Sequence, residues 1–154
     1  MTAFSKRNLN RFLLFKLPSA YIAGVRVSKL EENLVEASVK VRWINKNPFN
    51  SLFWAVQGMA AELTTGVLLI KHIRLSKKNI SMLVTKQSGE FHKKAIGKIK
   101  FSCTQEQEVK KLIEKVIETK EGQTITLESK GIDEDGAIVS SFSFHWSVKL
   151  KSKK

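Results

Sequence analysis

The chain has 154 residues, of which 42% are hydrophobic and 27% are charged, with a formal net charge of +13. This length fits one globular domain spanning residues 1–154, and the composition excludes a disordered chain. The lone cysteine, Cys103, excludes an internal disulfide and fits a reducing cytoplasm, where we expect it to be a small buried side chain. The positive charge indicates a phosphate-bearing partner, either nucleic acid, anionic lipid or a phosphorylated cofactor.

The first part of the chain predicts a helix followed by two strands. Residues 4–16 form an amphipathic pattern that Pro18 ends, within a basic N-terminal segment of residues 1–18. Residues 22–27 are a short strand candidate. From residue 33 to residue 43 apolar and polar side chains alternate, which is typical of a half-buried strand. Its apolar face carries Ala37, Val39, Val41 and Trp43.

A long helix is predicted from Trp54 to Ile70, and it is apolar almost all the way round. With the residues from Leu52 onward it nearly reaches transmembrane length. However, Glu62 stands in its middle, and a central carboxylate costs about 2.5–3.5 kcal/mol on insertion scales. We therefore expect a buried helix of a globular protein, with no membrane span.

The next segment predicts two strands and a second helix. Residues 80–85 and 95–103 read as a strand pair that a polar loop with Gly89 connects. Thr104 then stands three residues before Gln107, which is the spacing of a capping box. We expect this box to open an amphipathic helix.

Two more strands and a basic tail complete the chain. Gly122 ends the second helix, residues 123–129 and 137–150 are strands, and the lysine-rich tail covers 149–154. Six strands with one very apolar helix indicate an α+β fold in which an antiparallel sheet curls around that helix. On their apolar positions we expect three tryptophans in the core: Trp43, Trp54 and Trp146.

Glu62 lies on a stripe of small residues of the long helix. At 100° per residue the stripe includes Ala55, Gly58, Gly66 and Leu69. Glycine in a helix interior costs about 1 kcal/mol relative to alanine, so this stripe indicates close approach by a partner chain or a ligand. A buried carboxylate is either paired or has a raised pKa. Both a structural and a catalytic role for Glu62 are therefore open.

The segment WINKNPFNSLFWAVQGMAAELTTG, residues 43–66, resembles the central segment of hotdog-fold proteins. It is most similar to the phenylacetate-pathway type of acyl-CoA thioesterase and to an uncharacterised branch beside it. The resemblance covers most of the chain. It implies a curved antiparallel sheet of about six strands around one long helix, a dimer or tetramer, and a site at a subunit interface near the start of that helix.

The resemblance also assigns roles to residues of this chain. Glu62 falls where many members carry the acid that attacks the thioester or activates water, and Asn47 falls where some carry a Gln or Asn. Backbone N–H groups near Trp54 and Ala55 fall where the helix N-terminus polarises the thioester carbonyl, a role that its dipole supports. The remaining substrate-binding candidates are Asn50, Gln57, Gly58 and Thr65.

The chain departs from the family pattern at two places. Many active relatives have His-Gly-Gly at the helix start, where this chain has Phe53-Trp54-Ala55, and Gly66 stands where some place a Ser or Thr. A divergent thioesterase and a scaffold that binds an acyl group without cleaving it are both consistent with this. Coenzyme A would enter only as part of the substrate. Its phosphates would meet Lys93, Lys94, Lys98 and Lys100.

A different class of function remains as the alternative. The positive charge fits a basic regulatory or nucleic-acid-binding module on the same scaffold. Against it, the sequence has no nucleic-acid-binding motif and no exposed aromatic pattern typical of a stacking surface. His72, His92 and His145 lie far apart in the sequence without metal-ligand spacing, so we expect no metal site.

Overall fold

The computed structural model describes residues 4–151, in which four α-helices and six strands follow one another along the chain. Residues 152–154 of the predicted basic tail lie outside this range. The elements are α1 (Lys6–Lys16), α2 (Pro18–Ile22), β1 (Arg26–Leu30), β2 (Val35–Lys40), α3 (Trp54–Ser76), β3 (Ile80–Phe91), β4 (Lys98–Cys103), α4 (Glu106–Thr119), β5 (Gln123–Ile132) and β6 (Ile138–Leu150).

The six strands form one antiparallel sheet in the order β1-β2-β4-β5-β6-β3. The sheet curves around α3, which packs against β2, β4, β5 and β6, and α4 packs beside α3. This is the α+β arrangement that the sequence and the resemblance predict. The twelve-residue strand β3 lies at one edge, so one side of its backbone has no neighbouring strand among the described residues.

The core lies between α3 and the concave face of the sheet. On β6 the predicted alternation is confirmed, because Phe142, Phe144, Trp146 and Val148 are buried towards α3. Gly89 lies opposite Phe142 in the sheet, and a Cβ at this position would approach the Phe142 ring to 2.8 Å. This glycine therefore makes room for a core aromatic within β3, and it does not belong to a loop as the sequence predicts.

The N-terminal helix is confirmed, but the strand predicted over residues 22–27 is displaced. Pro18 ends α1 and also opens α2, because proline is favourable in the first turn of a helix. Ile22 is the last residue of α2, and Gly24, with φ +93°, turns the chain into β1. The strand consequently begins only at Arg26.

The strand predicted up to Trp43 ends earlier, at Lys40. The buried Asn45 side chain ends it by donating to the carbonyls of Lys40 and Ala23 while accepting from the Arg42 amide. These bonds fold residues 43–45 into a 3₁₀ turn and leave Trp43 85% exposed. Trp54 is 53% exposed, so of the three tryptophans expected in the core only Trp146 is buried there.

Two local predictions in the second half are wrong. β3 and β4 are not a strand pair, because β3 pairs with β6 at the sheet edge and β4 lies between β2 and β5. The predicted capping box at Thr104 is also not formed. Gln105 is the N-cap of α4, and its side-chain oxygen accepts from the Glu128 amide on β5 instead. Tertiary pairing overrides the local pattern in both cases.

Cys103 is buried, as the sequence predicts, and burial raises the pKa of its thiol to about 11. The thiol is therefore protonated at neutral pH and packs as a small apolar group. None of the helices within residues 4–151 combines the length and the apolarity that crossing a bilayer would require.

Candidate functional site

Glu62 lies in the middle of α3 and lines a cavity of about 370 Å³ between α3 and the N-terminal helices α1 and α2. We call this space the Glu62 cavity. Its walls are mainly apolar, and among the described residues Glu62 is the only acid that lines it. Representative wall residues are Leu13 from α1, Leu63 and Val67 from α3, Met82 from β3 and Trp146 from β6. The volume lies within the range of small-molecule sites.

The Glu62 carboxylate forms no hydrogen bond or ion pair within residues 4–151. Its side chain remains accessible to solvent in the single chain, yet it stands against apolar walls. Partial burial there raises the pKa of Glu62 above its usual range. An unpaired carboxylate with a raised pKa is a better proton acceptor near neutral pH than an ordinary surface glutamate.

The start of α3 presents free backbone N–H groups at the surface. Phe53 is the N-cap, and no side chain caps the helix. The Phe53 amide donates to the Asn45 carbonyl, whereas the amides of Trp54 and Ala55 have no acceptor within residues 4–151. Free N–H groups at a helix N-terminus stabilise a developing negative charge, as the predicted role of Trp54 and Ala55 requires.

Asn47 holds together the loop before α3. Its side-chain oxygen accepts from the amides of Phe49 and Ser51, and its side-chain nitrogen donates to the Ser51 hydroxyl. Asn50 in the same loop has φ +60°, is exposed, and accepts from Lys46 Nζ at 3.1 Å. In the single chain, Asn47 therefore orders the loop that leads into the helix.

Gln57 and Thr65 are buried in the single chain and bonded to protein atoms. Gln57 donates to the Leu52 carbonyl and accepts from the Ser140 hydroxyl on β6. The Thr65 hydroxyl donates to the Glu62 carbonyl and accepts from Trp146 Nε1 at 3.1 Å. Both residues thus fasten α3 to β6, and Thr65 positions the Trp146 wall of the Glu62 cavity.

Within one chain the predicted catalytic groups fall into two separate places. Ala55 and Glu62 are seven residues apart on α3, which at 1.5 Å per residue is about 10 Å along the helix axis. Neither Asn47 nor Trp54 lines the Glu62 cavity. One copy of the chain therefore places Glu62 in a cavity without placing the helix start beside it.

The two glycines of the Glu62 stripe face aromatic side chains of β6. A Cβ at Gly58 would lie 3.8 Å from Phe142, and a Cβ at Gly66 would lie 3.6 Å from Trp146. Both distances are ordinary van der Waals contacts, so the single chain has space for alanine at either position. Neither intramolecular contact explains why this face of α3 carries glycine.

We expect Gly58→Ala to raise the free energy of unfolding by about 0.5–1 kcal/mol, because alanine loses less backbone entropy in a helix interior than glycine. Urea denaturation measures the change, with Gly66→Ala as the matched substitution on the other side of Glu62 along the same stripe. If Gly58→Ala instead weakens self-association while Gly66→Ala does not, the missing side chain at Gly58 allows a second chain to pack closely against α3. A loss of stability in both variants would contradict the contact distances.

Sequence reasoning missed an exposed aromatic segment, which consists of residues 43–54. Trp43, Phe49, Phe53 and Trp54 all present large exposed side chains, and the rings of Phe53 and Trp54 contact each other edge to face. The signal was present in the turn residues Asn45 to Asn50, because a turn there moves Trp43 off the strand. Clusters of exposed large apolar side chains are typical of interaction surfaces in other proteins.

The lysines assigned to coenzyme A phosphates do not line the Glu62 cavity. Lys93 forms an ion pair of 2.7 Å with Asp133, while Lys98 and Lys100 are exposed on β4. Among the described residues, no group of three or more His, Cys, Asp or Glu side chains could hold a metal ion.

Solved structures that share this fold have little sequence in common with the chain. A protein of unknown function from Pseudomonas aeruginosa, described as a probable thioesterase, is 20% identical with a TM-score of 0.80, covering 94% of this chain and 96% of that one. A protein of unknown function from Chlorobaculum tepidum is 15% identical with a TM-score of 0.81, covering 95% and 94%. A thioesterase from Haemophilus influenzae is 15% identical with a TM-score of 0.71, covering 97% and 93%.

These similarities confirm the predicted hotdog fold. A family model described as a domain of unknown function, DUF4442, matches residues 5–148, and the chain belongs to this family. No curated protein matches the chain.

Proposed function

We propose that this protein is a thioesterase-like enzyme that binds and hydrolyses an acyl thioester such as acyl-CoA, with Glu62 as its catalytic carboxylate. The observation that carries the proposal is the position of Glu62: an unpaired carboxylate with a raised pKa, on the central helix of a hotdog fold, facing an apolar cavity. The names of similar structures in Pseudomonas aeruginosa and Haemophilus influenzae support the same reaction class.

In this mechanism Glu62 acts as general base or as nucleophile. As a base it takes a proton from water while the water oxygen forms a bond to the thioester carbon. The carbonyl oxygen gains the negative charge, which the N–H groups at the start of an α3 helix stabilise. The C–S bond then breaks, the thiolate takes up the proton, and a carboxylic acid and a thiol are released.

The helix start that stabilises this oxyanion belongs, in our proposal, to a second copy of the chain. Two observations support a site between subunits. In the part of the chain that the structure describes, one edge of the β3 backbone has no neighbouring strand, and such an edge is a template for pairing with another chain. The exposed aromatic segment lies directly before α3, where Asn47, Asn50, Trp54 and Ala55 would face the partner.

We expect the protein to form at least a dimer, and Trp43→Ser to weaken that dimer at least tenfold because a large aromatic side chain would lose its burial against the partner. Sedimentation velocity over a concentration series measures the change. Leu75→Ser is the matched control, since Leu75 is also an exposed apolar residue but stands at the far end of α3. Equal self-association of both variants would place the interface elsewhere.

Hydrolysis of a panel of acyl-CoA thioesters, followed by thiol release, tests the proposed reaction. Turnover of at least one member by the wild type, lost in a folded Glu62→Ala variant, supports catalysis at Glu62. If the wild type binds acyl-CoA without turnover, the protein keeps only the binding function. If it binds no thioester but binds nucleic acid with an affinity that falls steeply with salt, the alternative of a basic nucleic-acid-binding module is correct.

A further inference from the structure

A second concave surface adjoins the Glu62 cavity. A groove of about 310 Å³ runs along α1, and we call it the α1 groove. It shares four lining residues with the Glu62 cavity, so the two spaces lie side by side. The shared residues are Leu9, Phe12, Lys16 and Arg74.

The two spaces differ in charge. Arg11 and Lys16 on α1 and Arg74 on α3 line the α1 groove, and no acid between residues 4 and 151 lines it. Within residues 4–151, neither Arg11 nor Lys16 has an ion-pair partner, and Arg74 stacks over the Phe4 ring at 5.7 Å. Three cations in a groove whose described lining residues include no acid form a positive local field, and guanidinium groups bind carboxylates and phosphates through paired hydrogen bonds.

We propose that the Glu62 cavity and the α1 groove together bind a single-chain amphiphile with an anionic head group. The apolar tail lies in the Glu62 cavity between α1 and α3. The carboxylate or phosphate head lies in the α1 groove, where Arg11, Lys16 and Arg74 contact it. This binding goes beyond thioester hydrolysis, because it requires neither a thioester nor turnover.

The single acid of the cavity is compatible with an apolar tail. Partial burial raises the pKa of Glu62, and a tail that displaces the remaining water would favour the neutral carboxyl further. Lys16 and Arg74 also line this cavity, and they stand where it meets the α1 groove. Lys16 on α1 and Arg74 on α3, the two cationic residues that line the cavity together with Glu62, would therefore also hold the head group.

Calorimetric titration of the full chain with decyl amphiphiles below their micelle concentrations tests the head-group site. Decanoate and decyl phosphate represent a free acid and a phosphate ester, decanol is neutral, and decyltrimethylammonium is cationic. We expect both anions to bind more tightly than the cation. In a Lys16→Gln/Arg74→Gln double variant, we expect affinity for both anions to fall at least tenfold while affinity for decanol is unchanged. Lys111→Gln, an exposed lysine of α4, is the matched control.

A chain-length series and a filled cavity test the position of the tail. From hexanoate to decanoate, affinity should rise about fourfold per methylene while the chain still lengthens inside the cavity. Leu63→Trp, which adds bulk to the cavity wall, should weaken binding of decanoate and decanol alike. Circular dichroism checks that each variant is folded.

Several outcomes would overturn the proposal. Equal binding of decanoate and decyltrimethylammonium would show that the site does not prefer anions. Binding by the double variant that is no weaker than binding by Lys111→Gln would show that Lys16 and Arg74 do not hold the head group. Binding of decanoyl-CoA without binding of decanoate or decyl phosphate would show that the coenzyme is recognised instead. Binding to anionic lipid vesicles without binding of any free amphiphile would make α1 a membrane-surface helix.

Discussion

Glu62→Gln should lower kcat for the preferred thioester by about 10²- to 10⁴-fold, because the amide cannot accept the proton of water or attack the thioester. The substitution keeps the shape of the side chain, so KM should change little. Thiol release under saturating substrate measures kcat. Glu118→Gln on the exposed face of α4 is the matched control for the same chemical change. Unaltered kcat in Glu62→Gln would contradict a catalytic role and leave Glu62 structural.

The Glu62→Gln substitution should also stabilise the fold at neutral pH. A loss of kcat in a more stable protein cannot be explained by unfolding. Burial raises the pKa of Glu62 in the folded state above its ordinary value of 4.5. Below that value the carboxyl is protonated in both folded and unfolded chains, so the side chain has no ionisation penalty. As the pH rises through the folded pKa, the folded wild type loses stability relative to Glu62→Gln, which cannot ionise.

Urea denaturation at neutral pH and at pH 4 measures this difference. Glu62→Gln should be more stable than the wild type at neutral pH, and the two should converge in acid. Lys16 and Arg74 line the same cavity and are the same in both proteins. A variant that is less stable than the wild type at neutral pH would show that the carboxylate has a favourable partner. For activity the sign is opposite, because kcat should rise with pH as Glu62 loses its proton.

Glu106→Ala should lower the free energy of unfolding by about 3 kcal/mol, because it removes the shared acceptor of a buried polar cluster. Glu106 stands in the first turn of α4, and its Oε1 accepts from Lys71 Nζ at 2.8 Å and from His72 Nε2 at 2.9 Å. Lys71 also donates to the Glu32 carbonyl. The cluster therefore joins the end of α3 to α4 and to the β1–β2 connection.

The matched control is Glu108→Ala, which removes the same charge from the same first turn of α4 but at an exposed position. It should cost no more than about 0.3–1 kcal/mol, the value of an acid near a helix N-terminus. Glu106→Gln should fall between the two, since its amide oxygen can still accept one hydrogen bond. Urea denaturation compares the three variants. A loss in Glu106→Ala no larger than in Glu108→Ala would show that the cluster adds nothing beyond the helix dipole.

Sequence periodicity alone predicts the elements that carry the fold. The apolar run that begins at Trp54 is too long and too uniformly apolar for a surface helix, so it must be the central helix α3. The strict alternation on β6 likewise places Phe142 and Trp146 on the buried face, because successive side chains of a strand point to opposite faces. Glu62 was recognisable because it is the single charged residue between Trp54 and Ile70, and a charge within such an apolar run needs a physical reason.

Strand order and the cavity were decided by tertiary structure. Which strands pair depends on contacts between distant residues, so the sequence-adjacent β3 and β4 looked like a pair although β3 belongs beside β6. Trp43 looked buried from its alternation, but the hydrogen bonds of Asn45 end the strand before it. The Glu62 cavity and the α1 groove exist only because α1, α2 and α3 meet. Sequence periodicity predicts single helices and strands, but it does not predict how they pack together. That packing follows from burying the apolar faces of separate elements against one another.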